Sequence, residues 1–318
     1  MQELERERYL NPYTDFGFKR LFGSELNKEL LISFLNAIFQ GKETVVDVTY
    51  LNPENLGWNP ENRKAVFDVY CQNELGEYFI VEMQKAHQKF FKDRSVYYST
   101  FPIQEQAKKG DWDYQLKNVY TIGILNFVFP EDEYSPECYH HEVKLMDTAD
   151  KHVFYDKLTF VYLEIPKFNK QESELETMFD KWMYVLKNLS RLMERPIALQ
   201  ERVFTRLFEQ AEISQFNEGE RLAYVDSLKS FRDMNNVIRT VREKSFAKGK
   251  AEGRKEGRKE GRKEGRKEGR AEGRKEGHKE GLKEGLLHTA RMMKNKGLPI
   301  ETIIECTNLT AEEIEKIN

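Results

Sequence analysis

Asp68, Glu82 and Gln84 have the side-chain types and spacing needed for phosphodiester chemistry. Val66-Phe67-Asp68-Val69-Tyr70 and Phe79-Ile80-Val81-Glu82-Met83-Gln84 each alternate in the two-residue period of a strand, so the three polar groups are expected on one face. The turn Asn73-Glu74-Leu75-Gly76 separates the two runs. If the hairpin centres on Leu75, paired residues have numbers summing to 150, which sets Asp68 across from Glu82 with Cβ atoms about 5 Å apart. Two carboxylates held face to face in a sheet repel and resist desolvation unless a proton, a base or a divalent cation lies between them. Such hard oxygen ligands suit Mg²⁺ or Mn²⁺. A cation held there would withdraw charge from a phosphoryl oxygen and lower the pKa of a bound water. Gln84 can orient the water or the phosphate, although an amide is neither base nor cation. Asp15, in Thr14-Asp15-Phe16-Gly17-Phe18-Lys19, is read as preceding the first helix, either as a third metal-binding carboxylate or outer contact or as a helix cap.

Hydrophobic period supplies the elements that must carry these residues. Leu30, Leu31, Phe34, Leu35 and Ile38 share one face of a helix expected over 26–39. Segments 45–51, 65–72, 78–84 and 118–129 are rich in Val, Ile, Tyr and Phe and read as strands. A helix is expected over 88–109, further strands over 142–146 and 153–165, and helices over 172–193 and 197–244. The order predicts an α/β fold, a mixed sheet with flanking helices and a helical extension. Within the helix over 88–109, Arg94 is read either as a phosphate contact or in a surface ion pair, and Tyr97 and Tyr98 either as packing residues or as base-stacking platforms. Lys85 should point to the face opposite Gln84 unless the strand bulges.

With those blocks in order, the chain resembles the PD-(D/E)XK nuclease superfamily, and within it the recombination-promoting nuclease/transposase family. The resemblance spans about residues 10 to 245 and rests on Thr14 to Lys19, Phe22-Gly23, Phe67-Asp68-Val69-Tyr70, Ile80 to Gln84, and Arg94 with Tyr97-Tyr98. It implies a restriction-endonuclease-like core, divalent-metal-dependent cleavage of DNA and a role in recombination. Asp68 and Glu82 take the place of the metal ligands, and Gln84 stands where the superfamily usually has lysine. The alternative left open by that amide is a DNA-binding or oligomeric scaffold that keeps the fold without the activity.

Composition and charge set limits on this reading. The chain has 318 residues, a third of them charged, and its longest apolar stretch is far short of the roughly 18 residues of a membrane span. No membrane association is expected. Three scattered cysteines, Cys71, Cys138 and Cys306, suggest a reducing cytoplasm. Residues 1–246 carry a net charge of −8 and 247–286 a net +6, so the body lacks the basic footprint of a protein that coats nucleic acid.

Three segments follow from these shifts: 1–246, a tail over 247–286, and a small helical module over 287–318. The tail repeats Arg-Lys-Glu-Gly with a glycine every fourth residue from Gly249 to Gly285, which reads as a linker or extended helix through which copies of the chain associate, or else as a basic arm. The terminal module reads as a docking or oligomer-capping unit, with a helix-turn-helix as the alternative. Cys138-Tyr139-His140-His141 looks like half of a metal site but has no second Cys/His pair at usable spacing, and reads as loop.

Overall fold

The computed structural model describes residues 7–52, 54–55, 65–107, 112–130 and 137–317. Its contacts divide the chain into two compact units, Met1–Asn236 and Val237–Asn318.

The first unit opens with α1 (Asp15–Phe22) and α2 (Lys28–Phe39). Thr14 starts α1 by accepting the Gly17 N–H on its hydroxyl at 3.0 Å, so Asp15 is the first residue of a helix rather than its cap or a preceding turn. In α2, the five apolar residues that share a face in the sequence are all buried. Nine further elements build the sheets and their crossover: β1 (Val48–Tyr50), β2 (Glu54–Asn55), β3 (Ala65–Val66), β4 (Val69–Asn73), β5 (Tyr78–Gln84), α3 (Phe91–Glu105), β6 (Val119–Leu125), β7 (His140–Met146) and β8 (Val153–Glu164). The main sheet has the order β1-β4-β5-β6-β8-β7, while β2 and β3 pair separately. Strands β5, β6 and β8 run parallel and the outer pairings are antiparallel. A parallel neighbour cannot be reached by a tight turn, and α3 supplies the crossover between β5 and β6.

Alternation along the central strands sorts two apolar faces. Phe79, Val81 and Met83 of β5, with Ile122 and Ile124 of β6 and Val161 and Leu163 of β8, join α2, α4 (Met178–Asn188) and α5 (Arg202–Ala211) in the main core around Trp182. The opposite face presents Ile80, Leu125, Phe160 and Tyr162 toward Phe91 and Phe101 of α3. Burial on both faces is why these strands read as nearly continuous apolar runs. The restriction-endonuclease-like α/β architecture expected from the sequence is present.

Several boundaries differ from the sequence expectation. The strand expected over 65–72 is interrupted at Phe67 and Asp68, so that β3 pairs with β2 and β4 with β1 and β5. The single helix expected over 197–244 is two helices, α5 and α6 (Glu218–Asn295). The break has a backbone cause: Leu10 N–H donates to Ala211 O at 2.9 Å and Ile213 N–H to Arg8 O at 3.0 Å, which diverts residues 211–213 from helical bonding. Of the helix expected over 88–109, residues 108 and 109 lie outside the described residues.

Helix α6 begins in the first unit and runs into the second, where the repeat is helical and an added Cβ at any of its glycines meets nothing within 4 Å. Ala290 packs with Ile303 of α7 (Ile300–Thr307) and with Leu309, Ile314 and Ile317 around α8 (Ala311–Glu315). Thr310 caps α8 as the sequence predicts, and Lys294 Nζ donates to the carbonyls of Ile314, Glu315 and Ile317 at 2.8–3.2 Å. Among the described residues no helix is long and apolar enough to cross a membrane.

Candidate functional site

The β4–β5 hairpin has the register expected for a centre at Leu75: Val69 pairs with Val81, Tyr70 with Ile80, Cys71 with Phe79 and Gln72 with Tyr78. The turn enforces it. Asn73 Oδ1 accepts the N–H groups of Leu75 at 3.1 Å and Glu77 at 2.8 Å, and Gly76 supplies a φ of 80° that other residues resist. Continuing the register one step beyond β4 brings Asp68 to Glu82. Asp68 N–H donates to Glu82 Oε1 at 3.1 Å, and Met83 N–H donates to Asp68 Oδ2 at 2.8 Å. Each carboxylate is therefore anchored on the other strand's backbone, which fixes both on one side of the sheet. Gln84 joins them, its Nε2 donating to Glu82 Oε2 at 3.2 Å. Glu82 and Gln84 are buried, and Asp68 is half-buried.

Removing these acids from water has a clear electrostatic consequence. Burial, with the Asp68 charge beside it, pushes the Glu82 carboxyl up to about 8, against the opposing pull of the Asp68 N–H, Arg94 and Gln84. Asp68 is also raised, first by burial and further by Asp15, while Met83 N–H, Lys19 and Lys85 oppose the rise. Without a cation the pair holds on to a proton near neutral pH. Hard oxygen donors in this state fit a divalent metal, whose charge offsets both the repulsion and the lost hydration.

Asp15 reaches the pair from α1 electrostatically, and its carboxylate also pairs with Lys19 at 3.1 Å one helical turn on. Asp15, Asp68 and Glu82 do not bring their oxygens within 4.8 Å of one another; among the described residues the group that does is Asp147, Asp150 and His152. Those residues form the exposed β7–β8 turn, where Asp147 Oδ1 accepts Ala149 N–H at 2.8 Å and Asp150 Oδ1 accepts His152 N–H at 3.2 Å. Turn formation accounts for their proximity.

Strict alternation turns Lys85 away from the pair, yet its charge acts on Asp68. Strand β5 ends at Gln84, so alternation no longer governs the next residue. Arg94 forms a hydrogen bond rather than a surface ion pair: Nη1 donates to Gln88 Oε1 at 2.7 Å, and its buried Nη2 has no hydrogen-bond partner among the described residues. Arg94 lines a groove of about 640 Å³ with Gln88, Lys89, Phe90, Asp93, Tyr97 and Tyr98. Tyr98 packs edge-on against Phe67 at 5.2 Å, and Tyr97 packs on Phe101 at 5.2 Å with part of its ring exposed.

Sequence reasoning missed Gly123, which pairs with Glu82 across β5 and β6. A Cβ there would lie 3.0 Å from the Tyr162 ring and 3.2 Å from the Phe91 ring, so glycine lets the start of α3 approach the sheet beside the carboxylates. A lone glycine inside an aliphatic strand was the available signal.

The family model described as PD-(D/E)XK nuclease family transposase matches residues 12–241. No curated protein and no solved structure gives a significant match.

Proposed function

Because the chain belongs to the PD-(D/E)XK nuclease family transposases, we propose that it is a divalent-metal-dependent DNA endonuclease centred on Asp68 and Glu82. The supporting observation is the desolvated carboxylate pair, cross-anchored between two strands and short of positive charge. Asp68 and Glu82 would hold Mg²⁺ or Mn²⁺, with Asp15 on α1 adding only the field of its charge. When bound, such an ion supplies charge to a phosphate oxygen and acidity to a water. Gln84, whose amide donates to Glu82, keeps its oxygen as an acceptor and so orients water at the centre. The buried, unsatisfied Nη2 of Arg94 grips a phosphate oxygen, and the adjoining groove takes the flanking nucleotides against Phe90 and Tyr97. Lys19 and Lys85 add positive charge on the Asp68 side.

The protein works in recombination or transposition of DNA and resides in a reducing cytoplasm, a setting consistent with its three unpaired thiols. The segment over 247–286 associates copies of the chain, since an isolated helix with a glycine in every turn is weak. A supercoiled plasmid tests the activity. Wild-type protein with Mg²⁺ or Mn²⁺ nicks or linearises it, and Asp68→Ala and Glu82→Ala abolish cutting while circular dichroism stays native. Equal cutting by those variants removes the assignment. The neutral Gln84 favours a second reading, a scaffold that binds DNA without cleaving it, which binding without metal-stimulated cleavage would select.

A further inference from the structure

The run Cys138-Tyr139-His140-His141 reads in sequence as loop, but His140 and His141 are paired with β8 as the first residues of β7, and His141 meets a buried acid there. Glu164, the last residue of β8, is 0% exposed. Its Oε1 accepts Phe129 N–H at 2.5 Å, while Oε2 faces Lys167 Nζ at 2.5 Å and His141 Nε2 at 3.2 Å. A carboxylate only accepts, so Nε2 donates to it, and Nδ1 is the ring nitrogen on the Cys138 side. Nδ1 faces Cys138 Sγ at 3.8 Å, and the same sulfur lies 3.8 Å from the His140 carbonyl oxygen. Lys167 also donates to the Cys138 carbonyl at 3.1 Å, tying the cysteine backbone to the same centre. Alternation explains why only one of the two histidines takes part, since His140 lies on the other face against the Phe179 ring at 5.0 Å. Thiol, imidazole and carboxylate thus stand in the order that activates a nucleophile, with the thiol exposed and the carboxylate sealed in the interior.

We propose that Cys138 is a nucleophilic thiol, with His141 as its base and Glu164 as the residue that positions the imidazole, and that it is a modification site for hydroperoxides. His141 Nδ1 takes the thiol proton, and the sulfur attacks one peroxide oxygen. The S–O bond forms as the O–O bond breaks. Sulfur is oxidised by two electrons to sulfenic acid and the peroxide is reduced, its departing hydroxide (or alkoxide, from an organic hydroperoxide) taking the proton back from the imidazolium as water (or alcohol). The oxidant is the hydroperoxide itself, and no further reactant enters. This chemistry is separate from the carboxylate pair on β4 and β5.

The chain carries its own controls. Cys306 is exposed like Cys138, and Cys71 is buried, with its thiol pushed up to about 12 by that burial. Full-length protein treated with iodoacetamide at neutral pH, then mapped by peptide mass spectrometry, should show Cys138 alkylated at least about ten-fold faster than Cys306, with Cys71 unlabelled. Hydrogen peroxide followed by dimedone should mark Cys138 before Cys306. His141→Gln and Glu164→Gln should bring Cys138 down to the Cys306 rate. Glu164→Asp, which keeps the charge and loses the shape, should retain part of the excess, the reverse of what a space-filling role gives. Equal rates at Cys138 and Cys306 in the wild type overturn the proposal, as does an excess that survives His141→Gln with Cys71 still protected. If a variant exposes Cys71, it has unfolded, and the wild-type ratio with the dimedone adduct decides.

Discussion

Glu82→Gln replaces a carboxyl that resists ionisation with an amide of nearly the same shape. The folded chain holds the Glu82 proton up to about pH 8, and the unfolded chain releases it near 4.5. Below 4.5 both states are protonated, and the carboxyl leaves the folding equilibrium undisturbed. From there to about 8 the unfolded state gives up a proton that the folded state keeps, so stability falls by about 1.4 kcal/mol per pH unit. Over the whole interval the loss is roughly 5 kcal/mol, an upper figure because Asp68 titrates with Glu82 and the slope belongs to the pair. The glutamine variant has no proton to lose at this position. Urea unfolding in the presence of EDTA, followed by tryptophan fluorescence with Trp182 fully buried in the core, measures both proteins from acid to mildly alkaline pH. Wild type should fall steadily against the variant across that range and recover at its alkaline end when Mg²⁺ is added, with no matching gain in the variant. A constant stability difference at every pH would refute the claim that burial and Asp68 hold the proton on Glu82.

Arg94→Ala should lower plasmid cleavage by about 10- to 100-fold, the loss of one charge-assisted contact of about 1.5–3 kcal/mol, and Arg94→Lys should not restore the planar donor set. Gly123→Ala places a methyl 3.0 Å from Tyr162 and 3.2 Å from Phe91; we expect a destabilisation of about 1–3 kcal/mol in thermal unfolding, and an unchanged Tm would show that α3 yields freely. Removing residues 247–318 should reduce the mass of the assembly in sedimentation while the remaining chain stays folded, whereas an unaltered mass would assign association to the body.

The hairpin register was legible because two signals agreed. A short turn with glycine at its last position fixed the centre at Leu75, and alternation on both strands then left Asp68 opposite Glu82. The same logic stops one residue further along, at Lys85, because the pleat that enforces alternation ends with the strand at Gln84. Helix α2 was legible from its apolar face alone. The break between α5 and α6 was not, since residues 211–213 are bonded to residues 8–10, a contact about 200 positions away in sequence. Likewise, Cys138 and His141 are three residues apart, but what gives them chemical meaning is Glu164, and no local pattern joins it to them.

Gln84 connects the electrostatics of the carboxylate pair to the family to which the chain belongs. A lysine at this position would place an ammonium beside Glu82, where the amide now donates at 3.2 Å, and its charge would favour the ionised carboxyl. The amide gives a hydrogen bond but no net charge. Positive charge instead comes from other elements: Lys19 on α1 and Lys85 beyond β5 act on Asp68, and Arg94 on α3 acts on Glu82. These cations leave Glu82 well above the ordinary carboxylate range, so their combined pull is weaker than burial and the facing acid together. The remaining charge deficit is what a divalent ion would fill. Gln84→Lys should therefore lower the pH at which Glu82 ionises and weaken Mg²⁺ binding through repulsion, two opposite shifts that follow from one added charge.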